Sequence, residues 1–206
     1  LISQLVLFAI ISIWFYFDSK IHTKETLKKK IPNIPIIAEI PFIKNSENLN
    51  KMVSSNTRSP LAESIRMLVA NLSFTYYKNN VENEKVADVI LVTSSIKGEG
   101  KTIVSVNTAS ILSSKSNNVI LIGTDLRNPQ IHKYIGIEKS SRGVSDYIYS
   151  RENLSWKDLI INQGDFDILV SGTIPPNPTE LLGSDKFEKL IRELKNEYDY
   201  IVFDSA

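Results

Sequence analysis

The chain contains no cysteine, which excludes disulfides and thiolate metal sites and suits a reducing compartment. It has no excess of either charge: 24 Lys and Arg stand against 23 Asp and Glu. There is thus no global basic field, and nucleic acid is not an expected partner. An initiator methionine is absent; the chain opens at Leu1, stops two residues beyond Asp204, and reads as a fragment. Charge is missing altogether from its first seventeen residues. With 206 residues, 42% of them hydrophobic, there is room for one ordinary domain and about fifty residues besides.

The uncharged stretch, LISQLVLFAIISIWFYF, would make about 25 Å of helix, close to the ~20 residues that cross a bilayer. A buried core helix and a signal peptide are the competing readings, the latter opposed by the missing basic leader. The flank favours a transmembrane helix over 1–17. Trp14 and Tyr16 stand at an interfacial position, and Lys20, Lys24, Lys28, Lys29 and Lys30 outweigh Asp18 and Glu25. That bias puts the rest of the chain on the cytoplasmic side of the membrane. The run at 28–30 reads as a solvated face, as a contact for anionic lipid, or as both.

Residues 18–58 read as juxtamembrane segment and linker. Pro32, Pro35 and Pro41 among apolar residues favour extended backbone, and 44–58 are polar without periodicity, which predicts a flexible linker.

A domain over 59–206 opens with a helix: Ser59 as N-cap, Pro60 at the first position, and Leu61, Ile65, Leu68 and Leu72 on one face. Glu63 and Arg66 fall off that face as an i, i+3 ion pair. Apolar runs at 88–94, 118–123, 166–172 and 198–204 then alternate with helical patterns, one from about Lys101 and one through ELLGSDKFEKLIRELKNE. This alternation predicts an α/β fold with a mostly parallel sheet and helices on both faces, in which ligands bind at the carboxyl ends of strands.

Within it, SIKGEGKT fits the phosphate-binding loop pattern x-x-x-x-x-G-K-[ST], with Ser95 in place of the first glycine. Gly98 and Gly100 let backbone amides close on phosphate oxygens. Lys101 would reach the β- and γ-phosphates and Thr102 would offer its hydroxyl to Mg²⁺, while the following helix contributes its positive end. The nucleotide-binding candidates are therefore Ser95, Ile96, Lys97, Gly98, Glu99, Gly100, Lys101, Thr102 and Ile103, in a P-loop NTPase-like domain expected to hold the phosphates of a nucleoside triphosphate with Mg²⁺.

VILIGTDLRNP puts Asp125 at the end of a second apolar strand, where it would serve the metal or an attacking group, or else cap the next segment. YDYIVFD ends in Asp204, which has Walker B character and would complete a metal site with Thr102. In GTIPPNPTELL, Asn177, Pro178 and Glu180 read as a capping box.

Taken in order, VTSSIKGEGKT, ILIGTDLRNP, GTIPPNPTELL and YDYIVFDSA resemble the modified Walker A, Walker A', Pro-Asn-Pro-x-Glu-Leu-Leu and Walker B segments of the bacterial tyrosine kinase family, the cytoplasmic domains of polysaccharide co-polymerases. The juxtamembrane stretches FDSKIHT and IPNIPIIAEIPF resemble that family's linker. The resemblance implies ATP-dependent autophosphorylation of tyrosines in a C-terminal tail, usually that of a neighbouring subunit in a ring, with control of polysaccharide polymerisation and export machinery. It gives Lys101, Asp125 and Asp204 catalytic roles, Thr102, Asp125 and Asp204 the metal, and Glu63 with Arg66 an oligomer interface.

Three residues depart from the family pattern. Val69 stands at the last arginine of the family's Glu-x-x-Arg-x-x-Arg helix. Lys97 replaces a common proline; the signature lysine of partition ATPases belongs at Ile96, so Lys97 is not given that role. Gly123 replaces the first Walker A' aspartate, which implies slowed transfer or a shift of work to Asp125. Two further readings therefore stand beside the kinase: a catalytically weak nucleotide-binding co-polymerase subunit, and a partition-type switch ATPase. Tyr76, Tyr77, Tyr147 and Tyr149 read as ordinary half-buried aromatics, and His22 and His132 receive no role.

Overall fold

The computed structural model describes residues 21, 23–43, 52–54, 56–79, 87–150 and 154–206, with positions 4, 7, 12, 16 and 17 besides. The apolar segment 1–17 lies mostly outside the described residues, and 44–51 and His22 lie wholly outside them. Among the described residues no helix is long and apolar enough to cross a membrane. The chain divides into two compact units, Leu1–Ile36 and Ile37–Ala206.

In the first unit the charge run is part of a short helix, α1 (Lys24–Lys30), which the sequence reading did not anticipate. Thr23 caps it by accepting from the Thr26 amide at 3.2 Å. Lys28, Lys29 and Lys30 fill its last turn, where positive charge complements the helix dipole.

The second unit opens with α2 (Pro60–Asn79), capped by Ser59 Oγ, which accepts from Ala62 N at 3.1 Å. Leu61 and Ile65 are buried as expected, and Ala62 and Val69 complete the stripe. Five strands follow: β1 (Asp88–Val92), β2 (Val119–Gly123), β3 (Ile161–Asn162), β4 (Asp167–Leu169) and β5 (Tyr200–Asp204). Their order is β1-β5-β2-β4-β3. All pairings are parallel except the antiparallel β3–β4 edge, so the anticipated mostly parallel sheet is present.

Side chains alternate across the sheet with period two. Val119, Leu121, Ile168 and Val202 face α2 and α3 (Lys101–Ser113). Ile120, Ile122, Leu169, Ile201 and Phe203 face the opposite layer. That layer comprises α5 (Val144–Tyr149), a 3₁₀ turn (Trp156–Leu159) and α7 (Asp185–Glu197), whose Phe187, Leu190 and Leu194 are buried. Each fully buried Ile or Leu contributes about 1.5–3 kcal/mol relative to exposure. Covering both faces is what lets the strands read as unbroken apolar runs.

Three local expectations change. The helical pattern at 180–197 breaks into α6 (Pro178–Leu182) and α7. Ser184 between them accepts from Phe187 N at 3.3 Å and donates to the Leu181 carbonyl at 2.7 Å, capping one helix and closing the other. Asn177 does occupy the N-cap of α6, but no side-chain cap forms, because its amide donates to Glu180 Oε2 at 2.8 Å. Finally, residues 52–54 lie against α3: Val53 is 4% exposed, its amide donates to Asn107 Oδ1 at 2.6 Å, and its carbonyl accepts from Ser110 Oγ at 2.7 Å.

Candidate functional site

The carboxyl ends of β1, β2 and β5 converge on the amino end of α3. Leaving β1, the chain passes through Gly98 and Gly100, with φ of 91° and 93°, left-handed backbone that glycine adopts without a Cβ penalty. Gly100 is the N-cap of α3 and has no side chain to cap it. The first bond into the helix is Val104 N–H to the Gly100 carbonyl, at 3.1 Å. The amides of Lys101, Thr102 and Ile103 are thus left over at the positive end of a 13-residue helix, a standard anion-binding arrangement.

Ser95, Ile96, Lys97, Gly98 and Glu99 are exposed around this opening. Glu99 Oε2 accepts from the Ile96 amide at 3.3 Å. Lys101 Nζ donates to Ser94 Oγ at 2.9 Å, and that hydroxyl in turn donates to the Ile96 carbonyl at 2.8 Å. Lys101 is therefore anchored across the base of the loop. Ile103, a nucleotide-binding candidate from its position, buries its side chain in the core, leaving only its backbone to the loop.

Asp204 is the buried carboxylate of the site, 2% exposed. Thr102 Oγ1 donates to its Oδ2 at 2.9 Å and Ser105 Oγ to its Oδ1 at 3.1 Å. Its own carbonyl accepts from Thr124 N at 2.8 Å, Asp125 N at 2.9 Å and Thr124 Oγ1 at 3.0 Å, which ties the end of β2 to the end of β5 and sets Asp125 beside Asp204. Burial pushes the Asp204 carboxyl up to about 6, opposed by the hydrogen bonds from Thr102 and Ser105, with a further upward push from Asp125 and a downward one from Lys101. Asp125 also caps its own turn: its Oδ1 accepts from Arg127 N at 3.2 Å and Asn128 N at 2.8 Å.

The geometry brings Lys101, Thr102, Asp125 and Asp204 together at one strand edge. Glu63 and Arg66 are on α2, paired at 2.5 Å, with Arg66 also donating to the Thr57 carbonyl at 2.7 Å. Among the described residues no cluster of three or more His, Cys, Asp or Glu could hold a metal by itself. The donors present, a threonine hydroxyl and two carboxylates, are hard oxygens. They suit Mg²⁺, which keeps several waters and is usually held by one or two carboxylates plus phosphates.

Two residues of this constellation escaped the sequence reading. Ser105 stands three positions beyond Thr102 on one helix, hence on the same face, a spacing visible in the sequence. Ser94 gives no such signal, because its contact with Lys101 depends on how the loop folds back. Of the four tyrosines read as half-buried, Tyr147 is buried and Tyr149 is 52% exposed, while the side chains of Tyr76 and Tyr77 are not described. His132 lies at the start of the four-residue helix α4 (His132–Ile135), its basicity lowered by burial and by Lys133 and Lys139.

A mostly parallel sheet with a glycine loop feeding a helix, and a buried aspartate opposite that helix's first turn, defines a P-loop NTPase-like domain. No family model matches the chain. It is 28% identical over 156 residues to tyrosine-protein kinase YwqD of Bacillus subtilis (strain 168), covering 76% of this chain and 63% of the relative. It is 26% identical over 160 residues to tyrosine-protein kinase etk of Escherichia coli (strain K12), covering 78% of this chain and 21% of that one. Among solved structures, that of the chimerical protein CapA2B2 matches with a TM-score of 0.73 at 25% identity, over 89% of this chain and 75% of that one. By sequence the chain is thus similar to bacterial proteins named tyrosine-protein kinases. It spans less than two thirds of the length of these two kinases.

Proposed function

We propose that this chain carries the nucleotide-binding part of an ATP-dependent protein tyrosine autokinase that acts in polysaccharide chain polymerisation and export. The observation that carries the reading is the hydrogen bond between Thr102 Oγ1 and Asp204 Oδ2 at the mouth of the glycine loop, which supports a shared role for the two groups beside a metal–phosphate ligand. Lys101 would hold the β- and γ-phosphates, and the amides of Lys101 to Ile103 would take their oxygens. Thr102, Asp204 and Asp125 would hold Mg²⁺, which when bound neutralises the charge on the transferred phosphoryl group. Asp125, half-buried beside Asp204, would orient the incoming tyrosine hydroxyl. Catalysis of this kind rests on positioning and charge stabilisation. An apolar cleft beside Gly98 and Gly100, lined by Ile40, Pro41, Phe42, Ile103 and Val104, is of a type that accepts a flat heteroaromatic ring.

The rest of the reading is finer. Residues 1–17 would anchor the chain in the inner membrane, 18–58 would connect to a kinase domain over 59–206 on the cytoplasmic side, and Glu63 with Arg66 would contribute to a homo-oligomeric ring. A neighbour's tyrosine tail would be the acceptor. A second reading, a nucleotide-binding subunit with weak or no transfer, is favoured by Gly123, where no carboxylate is present and an added Cβ would lie 2.8 Å from the Ser171 amide nitrogen.

The test uses the full-length cytoplasmic protein with labelled ATP and Mg²⁺. Phosphotyrosine that disappears in Lys101→Met supports the kinase. Nucleotide bound without phosphotyrosine supports the second reading, and no nucleotide bound at all overturns both.

A further inference from the structure

Gly123 ends β2 in register with Asp204 on β5. Paired residues of parallel strands project to the same face, about 5 Å apart. Val119 and Leu121 project toward α3 on that face, as does Val202, and two residues further on so do Gly123 and Asp204. A side chain at 123 would therefore stand next to the Asp204 carboxylate, where the sequence lacks its acidic group.

That place is filled. An ideal Cβ on Gly123 would be 2.5 Å from Ser171 Oγ, 2.8 Å from Ser171 N and 3.2 Å from Ile131 Cδ1. The hydroxyl of Ser171, just beyond β4, occupies the space into which residue 123 would extend. Ser171 is 3% exposed, and its hydroxyl is hydrogen-bonded to no other described residue.

Its position is imposed by the backbone. The Ser171 carbonyl accepts from Ser145 N at 3.0 Å and the Val170 carbonyl from Val144 N at 2.9 Å. Two residues on, Thr173 is fixed at all its polar atoms. Its amide and hydroxyl donate to Asp146 Oδ2 and Oδ1 at 3.1 and 2.8 Å, and its carbonyl accepts from Ser145 Oγ at 2.6 Å. Gly143 and Gly172 admit this crossing, since a Cβ on either would meet atoms of the other segment at 1.9 and 2.3 Å.

The geometry points to Ser171 as a further binding residue of the site: its hydroxyl takes the place of the missing carboxylate and supplies a neutral oxygen to the water shell of the nucleotide-bound Mg²⁺. This rests on the nucleotide reading above. It differs from a simple loss of the aspartate, because a neutral ligand is present where a charged one is absent, and because the aspartate cannot be restored by one substitution.

Calorimetry with a non-hydrolysable ATP analogue, with and without Mg²⁺, tests the binding role, and thermal melting tests the packing. Ser171→Ala is expected to reduce the Mg²⁺-dependent gain in affinity about three- to tenfold, the effect of one neutral hydrogen bond, while affinity without Mg²⁺ is unchanged. Gly123→Asp is expected to lower the melting temperature, with part of the loss recovered in Gly123→Asp/Ser171→Gly, where the hydroxyl contact is gone and the backbone contact remains. An unchanged Mg²⁺-dependent gain in Ser171→Ala, with the wild type binding normally, overturns this proposal alone. A Gly123→Asp protein that melts like the wild type overturns it as well. Failure of the wild type to bind the analogue at all overturns it together with the nucleotide reading.

Discussion

Asp204 shows at the scale of one residue how a functional group opposes the stability of the fold that holds it. Its carboxyl titrates near 6 in the folded chain against an ordinary 3.8, chiefly because it is buried. Between those values the folded chain keeps a proton that the unfolded chain has released. The stabilising contribution is fully present below about pH 4 and is lost as pH rises through about 6. Asp204→Asn, which cannot ionise, is expected to stabilise the nucleotide-free protein at pH 7 by about 1–3 kcal/mol and to flatten its melting profile between pH 4 and 6. The same substitution is expected to remove the Mg²⁺-dependent part of nucleotide affinity. Melting curves across pH, paired with calorimetry, measure both; a variant no more stable than wild type at pH 7 would show that the burial is compensated. Asp204 and Lys101 were legible because strand, loop and helix are local patterns. Ser171 was not, because nothing near residue 171 in the sequence signals its approach to Gly123.

At the scale of elements, the long helices and apolar strands were readable because each carries its own period over enough residues. The break at Gly183–Ser184 was missed because both sides are good helix formers. What divides them is Ser184, whose hydroxyl serves Phe187 N on one side and the Leu181 carbonyl on the other. Asp185 and Glu188 in the first turn of α7 reinforce that start by complementing the positive end of the helix dipole. Ser184→Ala is expected to cost about 1 kcal/mol of global stability while leaving nucleotide affinity unchanged, as read from denaturant melts and calorimetry. The edge strand β3 escaped for another reason: its two residues are set by pairing with β4 and by the turn at Gly164, with φ of 82°, which are tertiary rather than periodic facts.

At the scale of the whole 37–206 unit, α3 is the element through which ligand binding can be felt elsewhere. Its first turn borders the glycine loop where phosphates would bind, and its middle holds residue 53, with Asn107 gripping the Val53 amide at 2.6 Å and the Ile103 carbonyl at 2.6 Å, and Ser110 gripping the Val53 carbonyl at 2.7 Å. A ligand at 100 times its Kd adds about 2.7 kcal/mol to the folded state. For a unit of this size that is a rise of about 5–11 °C in melting temperature, a shift that Lys101→Met should abolish. If that stabilisation travels along α3, hydrogen exchange at the Val53 amide should slow on adding Mg²⁺ and nucleotide. Asn107→Ala removes the acceptor of that amide and should leave Val53 exchanging fast in both conditions, while the amides of 101–104 are still protected by nucleotide. Protection confined to the loop in the wild type, with Val53 unchanged, would mean that the phosphate end of α3 and the segment docked at its middle respond independently, and that nucleotide does not tighten the hold on the chain entering the domain.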